Sequence, residues 1–163
     1  MIHPTAIIDT TAVLGDNVEV GPYCVIGPGV VLGDNVVLKS HVVVRGPSTI
    51  GNRVQIYQFA TVGEDTPALA FEGEDSVLEV GEGTIIREGV TIHRGMAKRG
   101  IQKTIIGSNC LLMAYVHVGH DCIVGNNVIM ANNASLSGHV EVGDFANFGG
   151  YSGIPQFRKV GAC

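Results

Sequence analysis

The sequence predicts an all-β parallel β-helix, a three-sided hexapeptide-repeat prism of about eight coils from which two loops depart. Every sixth residue is aliphatic, from Ile2, Ile8, Leu14, Val20, Ile26 and Leu32 through Leu38, Val44, Ile50, Ile56 and Val62. The position four residues after each of these anchors is small or β-branched, as in Ala6, Val18, Cys24, Val36, Val42 and Val54. A glycine often follows the anchor directly, as at Gly15, Gly33, Gly119 and Gly143, where it is expected to supply the corner conformation that a side chain resists. A period of six is neither the 3.6 of a helix nor plain alternation, so anchor and small position both face inward.

Three hexads make one coil, which stacks residues eighteen apart at a spacing of roughly 4.8 Å and gives a prism on the order of 40 Å long. The first run of repeats covers residues 2 to 62. A loop is expected near 64–79, where acidic and turn-forming residues add two hexad lengths without moving the register. The repeat resumes at Val80, Ile86 and Ile92. A second loop is expected near 95–105, because the next anchor, Ile106, is displaced by two residues. Leu112, Val118, Val124, Met130, Leu136, Val142, Phe148, Ile154 and Val160 then continue the series. The 163 residues read as one domain with a sizeable core. Loops on a rigid scaffold commonly carry function. The second holds a short basic group, Arg94, Lys98, Arg99 and Lys103, which either meets an anionic partner or stays solvated.

The net charge is −5 and no extended Lys/Arg cluster occurs, which argues against nucleic acid as the principal partner. No apolar stretch reaches the length of a spanning helix, so no integral membrane insertion is expected. The start, MIHPTAIID, enters the repeat without a secretory pattern, which points to the cytoplasm. Cys24, Cys110 and Cys122 occupy the small inward position and read as buried, reduced filler, whereas Cys163 falls off the pattern. Outward β-branched residues such as Val37, Val43 and Ile129 favour association, and analogy with hexapeptide proteins generally makes the assembly a homotrimer.

The chemical signal is histidine. Five of six lie at 41, 93, 117, 120 and 139. His117 sits between inward Val116 and Val118 and so faces outward, and His120 follows the Gly119 corner. One coil on, Gly138 stacks on His120 and His139 on Asp121. An imidazole, a carboxylate and a glycine N–H in one patch suit general-base catalysis with oxyanion stabilisation. Two other uses stay open on spacing alone. The histidines serve contacts between subunits, or they hold zinc, as in trimeric hexapeptide proteins that typically carry a histidine pair five apart. Here His117 and His120 are three apart, and the position five after His117 is inward Cys122. No Ser or Cys stands beside a histidine as a covalent nucleophile, which favours direct attack by a substrate group.

The stretches LKSHVVV (38–44), IYQFATVGEDTP (56–67), IREGVTIHRG (86–95), LLMAYVHVGHDCIVGN (111–126) and NNASLSGHV (132–140) resemble the UDP-N-acetylglucosamine 3-O-acyltransferases of lipid A biosynthesis, in order and over nearly the whole chain. The resemblance implies a left-handed β-helix. It further implies a soluble trimer that moves an (R)-3-hydroxyacyl chain from acyl carrier protein to the 3-hydroxyl of UDP-N-acetylglucosamine, at clefts between subunits and with no metal or other cofactor. By the same resemblance His120 is the general base, Asp121 supports it, and the Gly138 N–H faces the thioester oxygen. His93, His117 and His139 line the cleft and contact substrate, and Gln156 holds the sugar or the acyl group. The chain departs from that pattern at Ala68 and Ala70, where the family carries an acid and a lysine, and at Pro155, where it carries a histidine. The family's helical carboxy-terminal domain has no counterpart within these 163 residues. Two other functions stay open: an N-acyltransferase on a nucleotide-linked amino sugar, and a catalytically silent trimeric scaffold.

Overall fold

The computed structural model describes residues 1–163 and consists of short strands on three faces, with no helix. The first face holds eight parallel strands from Ile7–Ile8 to Gly153–Ile154, the second eight from Val13–Leu14 to Lys159–Val160, and the third seven from Glu19–Val20 to Asn147–Phe148. The chain winds as a left-handed parallel β-helix. Residues eighteen apart pair in register, as Ile7 with Val25 and Val25 with Val43. Each coil donates its N–H groups to the next, as Val25 N to Val42 O at 2.9 Å and Ile105 N to Cys122 O at 2.9 Å. Across the loops the pairing lengthens: Thr61 pairs with Thr91, and Thr91 with His117.

Anchors and small positions form one continuous buried core, in which Ile26, Leu38, Ile56, Ile92, Leu112, Met130 and Leu136 are fully enclosed. Each such side chain contributes about 1.5–3 kcal/mol on leaving water. Ile8, Leu14, Ile154 and Val160 in the outermost coils are only partly covered. No helix is long and apolar enough to cross a membrane.

The corners correct one expectation. Apart from Gly63, with φ 86° where the first loop leaves, the glycine after the anchor does not supply the left-handed conformation; the residue two places later does. Asn17, Tyr23, Asn35, His41, Arg53, Phe59, Asn109, Tyr115, Asp121, Asn127, Asn133 and His139 all have φ between 55° and 64°, and glycine takes this place only at 29, 83 and 89. Side chains in this conformation cost roughly 1–2 kcal/mol each, and Asn and Asp tolerate it best. The glycine after the anchor answers to crowding instead. A Cβ on Gly125 would lie 2.9 Å from the Asp144 nitrogen in the coil above, and one on Gly15 would lie 2.7 Å from the Gly33 carbonyl carbon.

Both loops leave from the corner that joins the first face to the second. They replace it between Thr61–Glu64 and Val77–Val80, and between Thr91–His93 and Lys103–Ile106. They fold back on each other rather than project. Arg94, read from the sequence as part of a short basic group that meets an anionic partner or stays solvated, is 8% exposed; its Nη1 donates to the Gly63 carbonyl at 2.6 Å and its Nη2 pairs with Asp65. Lys98 pairs with Glu72 of the first loop. Cys24, Cys110 and Cys122 are buried free thiols, and Cys163 is an exposed one.

Candidate active site

One coil above the second loop, the same corner carries Gly119, His120 and Asp121, followed one coil later by Ser137, Gly138 and His139. The left-handed backbone at Asp121 turns its side chain beneath the second loop, where the residue is 3% exposed. Its Oδ1 accepts the Ile101 N–H at 3.0 Å, and both oxygens accept the Met96 N–H at 3.2 Å. The Asp121 N–H donates to Thr104 Oγ1 at 2.9 Å. The remaining partner is His120, whose Nδ1 lies 2.7 Å from Asp121 Oδ2. A carboxylate in this position accepts a hydrogen bond from Nδ1–H, which leaves the Nε2 lone pair free.

Nε2 faces Gly138. A Cβ there would fall 2.5 Å from Nε2 and 2.6 Å from Cε1, so a side chain at this position would displace the ring. The Gly138 N–H makes no hydrogen bond within the chain. An acceptor on the substrate between imidazole and amide would meet a proton acceptor and a hydrogen-bond donor together.

The other histidines buttress this pair. His139 donates its N–H to the His120 carbonyl at 3.0 Å; its ring meets that of His120 edge-on at 4.9 Å and stacks on Phe157 at 4.4 Å. Burial pushes His139 below the ordinary imidazole range; Asp121 opposes that shift and His120 adds to it. His117 is hydrogen-bonded through Nδ1 to Thr91 Oγ1 at 2.8 Å and packs 5.3 Å from His93. Burial, then the neighbouring His93 and His120, hold His117 low as well. Both rings are therefore neutral hydrogen-bonding groups at neutral pH. His93 Nδ1–H donates to the Asp65 carbonyl at 2.8 Å, which ties the first loop to this wall.

An open cleft of about 240 Å³ runs past these groups, lined by Thr66, Pro67 and Ala68 of the first loop and by His117, His120, Gly138 and Gln156. His93 and His139 stand behind that lining. A larger hollow of about 440 Å³ lies beside Met1, His3 and Lys39, but there His3 is bonded to Thr5 and gathers no paired carboxylate.

Ligand atoms of His120, Asp121 and His139 lie within 4.8 Å of one another. Both Asp121 oxygens already accept N–H donors, an environment that favours an anion receiving hydrogen bonds over a ligand donating lone pairs to zinc. Spacing brought His120, Asp121, Gly138 and His139 together. It missed the Met96 and Ile101 amides, the Thr91 hydroxyl and the first-loop wall, because stacking by eighteen fails where loops intervene. Thr91 was within reach of a count that carried the register across the second loop.

The description "bacterial transferase hexapeptide (six repeats)" matches residues 1–34, 11–46, 29–64 and 103–138. An acyl-[acyl-carrier-protein]–UDP-N-acetylglucosamine O-acyltransferase of Stutzerimonas stutzeri is 50% identical over 118 residues, which are 72% of this chain and 45% of that protein. The chain thus spans less than half the length of that relative. Among solved structures, LpxA from Acinetobacter baumannii superposes with a TM-score of 0.96 at 49% identity, over 98% of this chain and 62% of that one. LpxA of Bacteroides fragilis, a UDP-N-acetylglucosamine acyltransferase, superposes with a TM-score of 0.86 at 36% identity, over 98% of this chain and 68% of that one.

Proposed function

Because the chain belongs to the bacterial transferase hexapeptide family, and within it to the UDP-N-acetylglucosamine acyltransferases, we propose that it transfers an (R)-3-hydroxyacyl group from acyl carrier protein to the 3-hydroxyl of UDP-N-acetylglucosamine, the first step of lipid A biosynthesis. One observation carries this: His120 Nδ1 is fixed 2.7 Å from a buried Asp121 carboxylate, while its Nε2 faces Gly138 in an open cleft.

In the proposed reaction Nε2 takes the proton of the sugar 3-hydroxyl as that oxygen attacks the thioester carbonyl. Asp121 stabilises the imidazolium that forms, and the Gly138 N–H receives the oxyanion. Collapse of the tetrahedral adduct breaks the C–S bond, and the imidazolium returns its proton to the departing thiolate. The ester and the free thiol account for every atom, and no step calls for a metal or other cofactor. His117 and Gln156 border the same cleft and position the acceptor, while His93 and His139 hold the wall behind it. We assign the working form to a cytoplasmic homotrimer, in which a neighbouring copy closes the open side of the cleft.

The test is transfer from 3-hydroxyacyl carrier protein to UDP-N-acetylglucosamine, with His120→Ala beside the unaltered chain. The general base is worth about 10²–10⁴-fold. Loss of that size with an unchanged circular dichroism spectrum supports the assignment. Equal rates in the two proteins would reject it. Ala68 leaves an uncharged methyl in the cleft wall, which favours one competitor, an acceptor differing from UDP-N-acetylglucosamine, and the same assay with other nucleotide-linked amino sugars separates the two.

A further inference from the structure

We propose that the second loop, residues 94–102, is a positioning element built around the Asp121 carboxylate, and that Gly100 is the residue that seats it. This rests on His120 as the general base.

The loop closes on itself through the Gln102 N–H, which donates to the Met96 carbonyl at 3.1 Å. Its mouth is fixed by Arg94, whose guanidinium holds Gly63 and Asp65. Inside the closed turn the Met96 and Ile101 amides point at the carboxylate, and the Met96 residue is 4% exposed. The space is cut to fit. A Cβ on Gly100 would lie 2.5 Å from Asp121 Oδ1 and closer still to Oδ2, and one on Gly95 would lie 2.7 Å from Oδ1. The backbone at Gly100 is outside the left-handed region, so a side chain there meets no conformational barrier. What excludes it is the carboxylate, together with the Met96 carbonyl oxygen at 2.5 Å. A displaced carboxylate loses its amide donors and its line to His120 Nδ1 together, and the imidazole loses both its orientation and its counter-charge. The titratable groups that face the pair are His117, His139 and Cys122.

Gly100→Ala is compared with Gly149→Ala, where a Cβ meets open space. With Gly100→Ala, kcat is expected to fall about 10²-fold while KM stays within about twofold, as for a catalytic group misplaced by about 1 Å. Added to Asp121→Asn, the same substitution costs less than about twofold, because both act through one contact. Gly149→Ala keeps the original kcat. Full activity in Gly100→Ala, or additive losses in the double variant, overturns the proposal.

Ring-nitrogen NMR gives a readout that needs no substrate. The His120 Nδ1 proton, sheltered in the unaltered chain, is lost in Gly100→Ala and kept in Gly149→Ala. If that pattern appears while the unaltered chain transfers no acyl group, the positioning role stands and the assigned reaction fails. Retention of the proton in Gly100→Ala overturns the role. Should Gly100→Ala not fold, the amide resonances of Met96 and Ile101 are compared between the unaltered chain and Asp121→Asn: a joint shift supports the role, and unmoved resonances overturn it.

Discussion

Arg94 Nη1 donates to the carbonyl of Gly63 at 2.6 Å, at the point where the paired strands Thr61–Glu64 and Thr91–His93 give way to the two loops. This bond, with the Arg94–Asp65 ion pair beside it, makes one wall out of two excursions. Arg94→Ala strips a partner from the carbonyl and from the carboxylate, and hydrogen bonds involving a charged group are worth about 1.5–3 kcal/mol. A loss of that size is expected in urea unfolding. Arg94→Lys is expected to recover less than half, because an ammonium cannot present two parallel N–H groups.

The half-buried imidazoles make stability depend on pH. His117 and His139 are held below the ordinary value of 6.5 in the folded chain, so the unfolded chain binds more protons once the pH falls below that value. Stability is therefore full above about pH 6.5 and declines as pH falls through the folded-state values. The melting temperature should drop between pH 7 and pH 5, and His117→Gln should flatten that decline. A melting temperature constant over this interval would contradict the assignment of neutral, half-buried rings.

Neighbouring corner positions should respond oppositely to changes at glycine. Gly125→Ala drives a methyl against the Asp144 backbone and is expected to cost about 1–3 kcal/mol by overpacking. Asn127→Gly, two residues on with φ 56°, relieves left-handed strain at the expense of chain entropy and should stay within about 0.5 kcal/mol. Paired denaturant titrations check both.

Thiol chemistry should separate the cysteines by place. Desolvation pushes the Cys122 thiol up to about 11, and burial raises Cys24 and Cys110 as well. A disulfide reagent at pH 8 is expected to titrate Cys163 alone in the folded chain and all four thiols in denaturant.

The repeat was legible because its cause is local and periodic. An aliphatic residue every sixth place and a small one four later leave a chain one economical way to bury both, and stacking by eighteen then places Gly138 over His120 and His139 over Asp121. The glycine corners were misread for a related reason: a glycine in a turn suggests left-handed φ, whereas these meet the coil above, a neighbour no local pattern reveals. The same holds for Arg94, whose place in a basic run gave no sign of the Gly63 carbonyl that buries it.

Sequence by itself determined the prism, its inward residues, the two loop positions and the stacked histidines, because each follows from counting along a regular coil. Only the tertiary structure decided how the loops close on each other, that the Met96 and Ile101 amides cradle Asp121, and that Thr66 to Ala68 wall the cleft. Those contacts join residues separated by irregular chain, where register carries no information and the outcome is settled by which buried polar groups find partners.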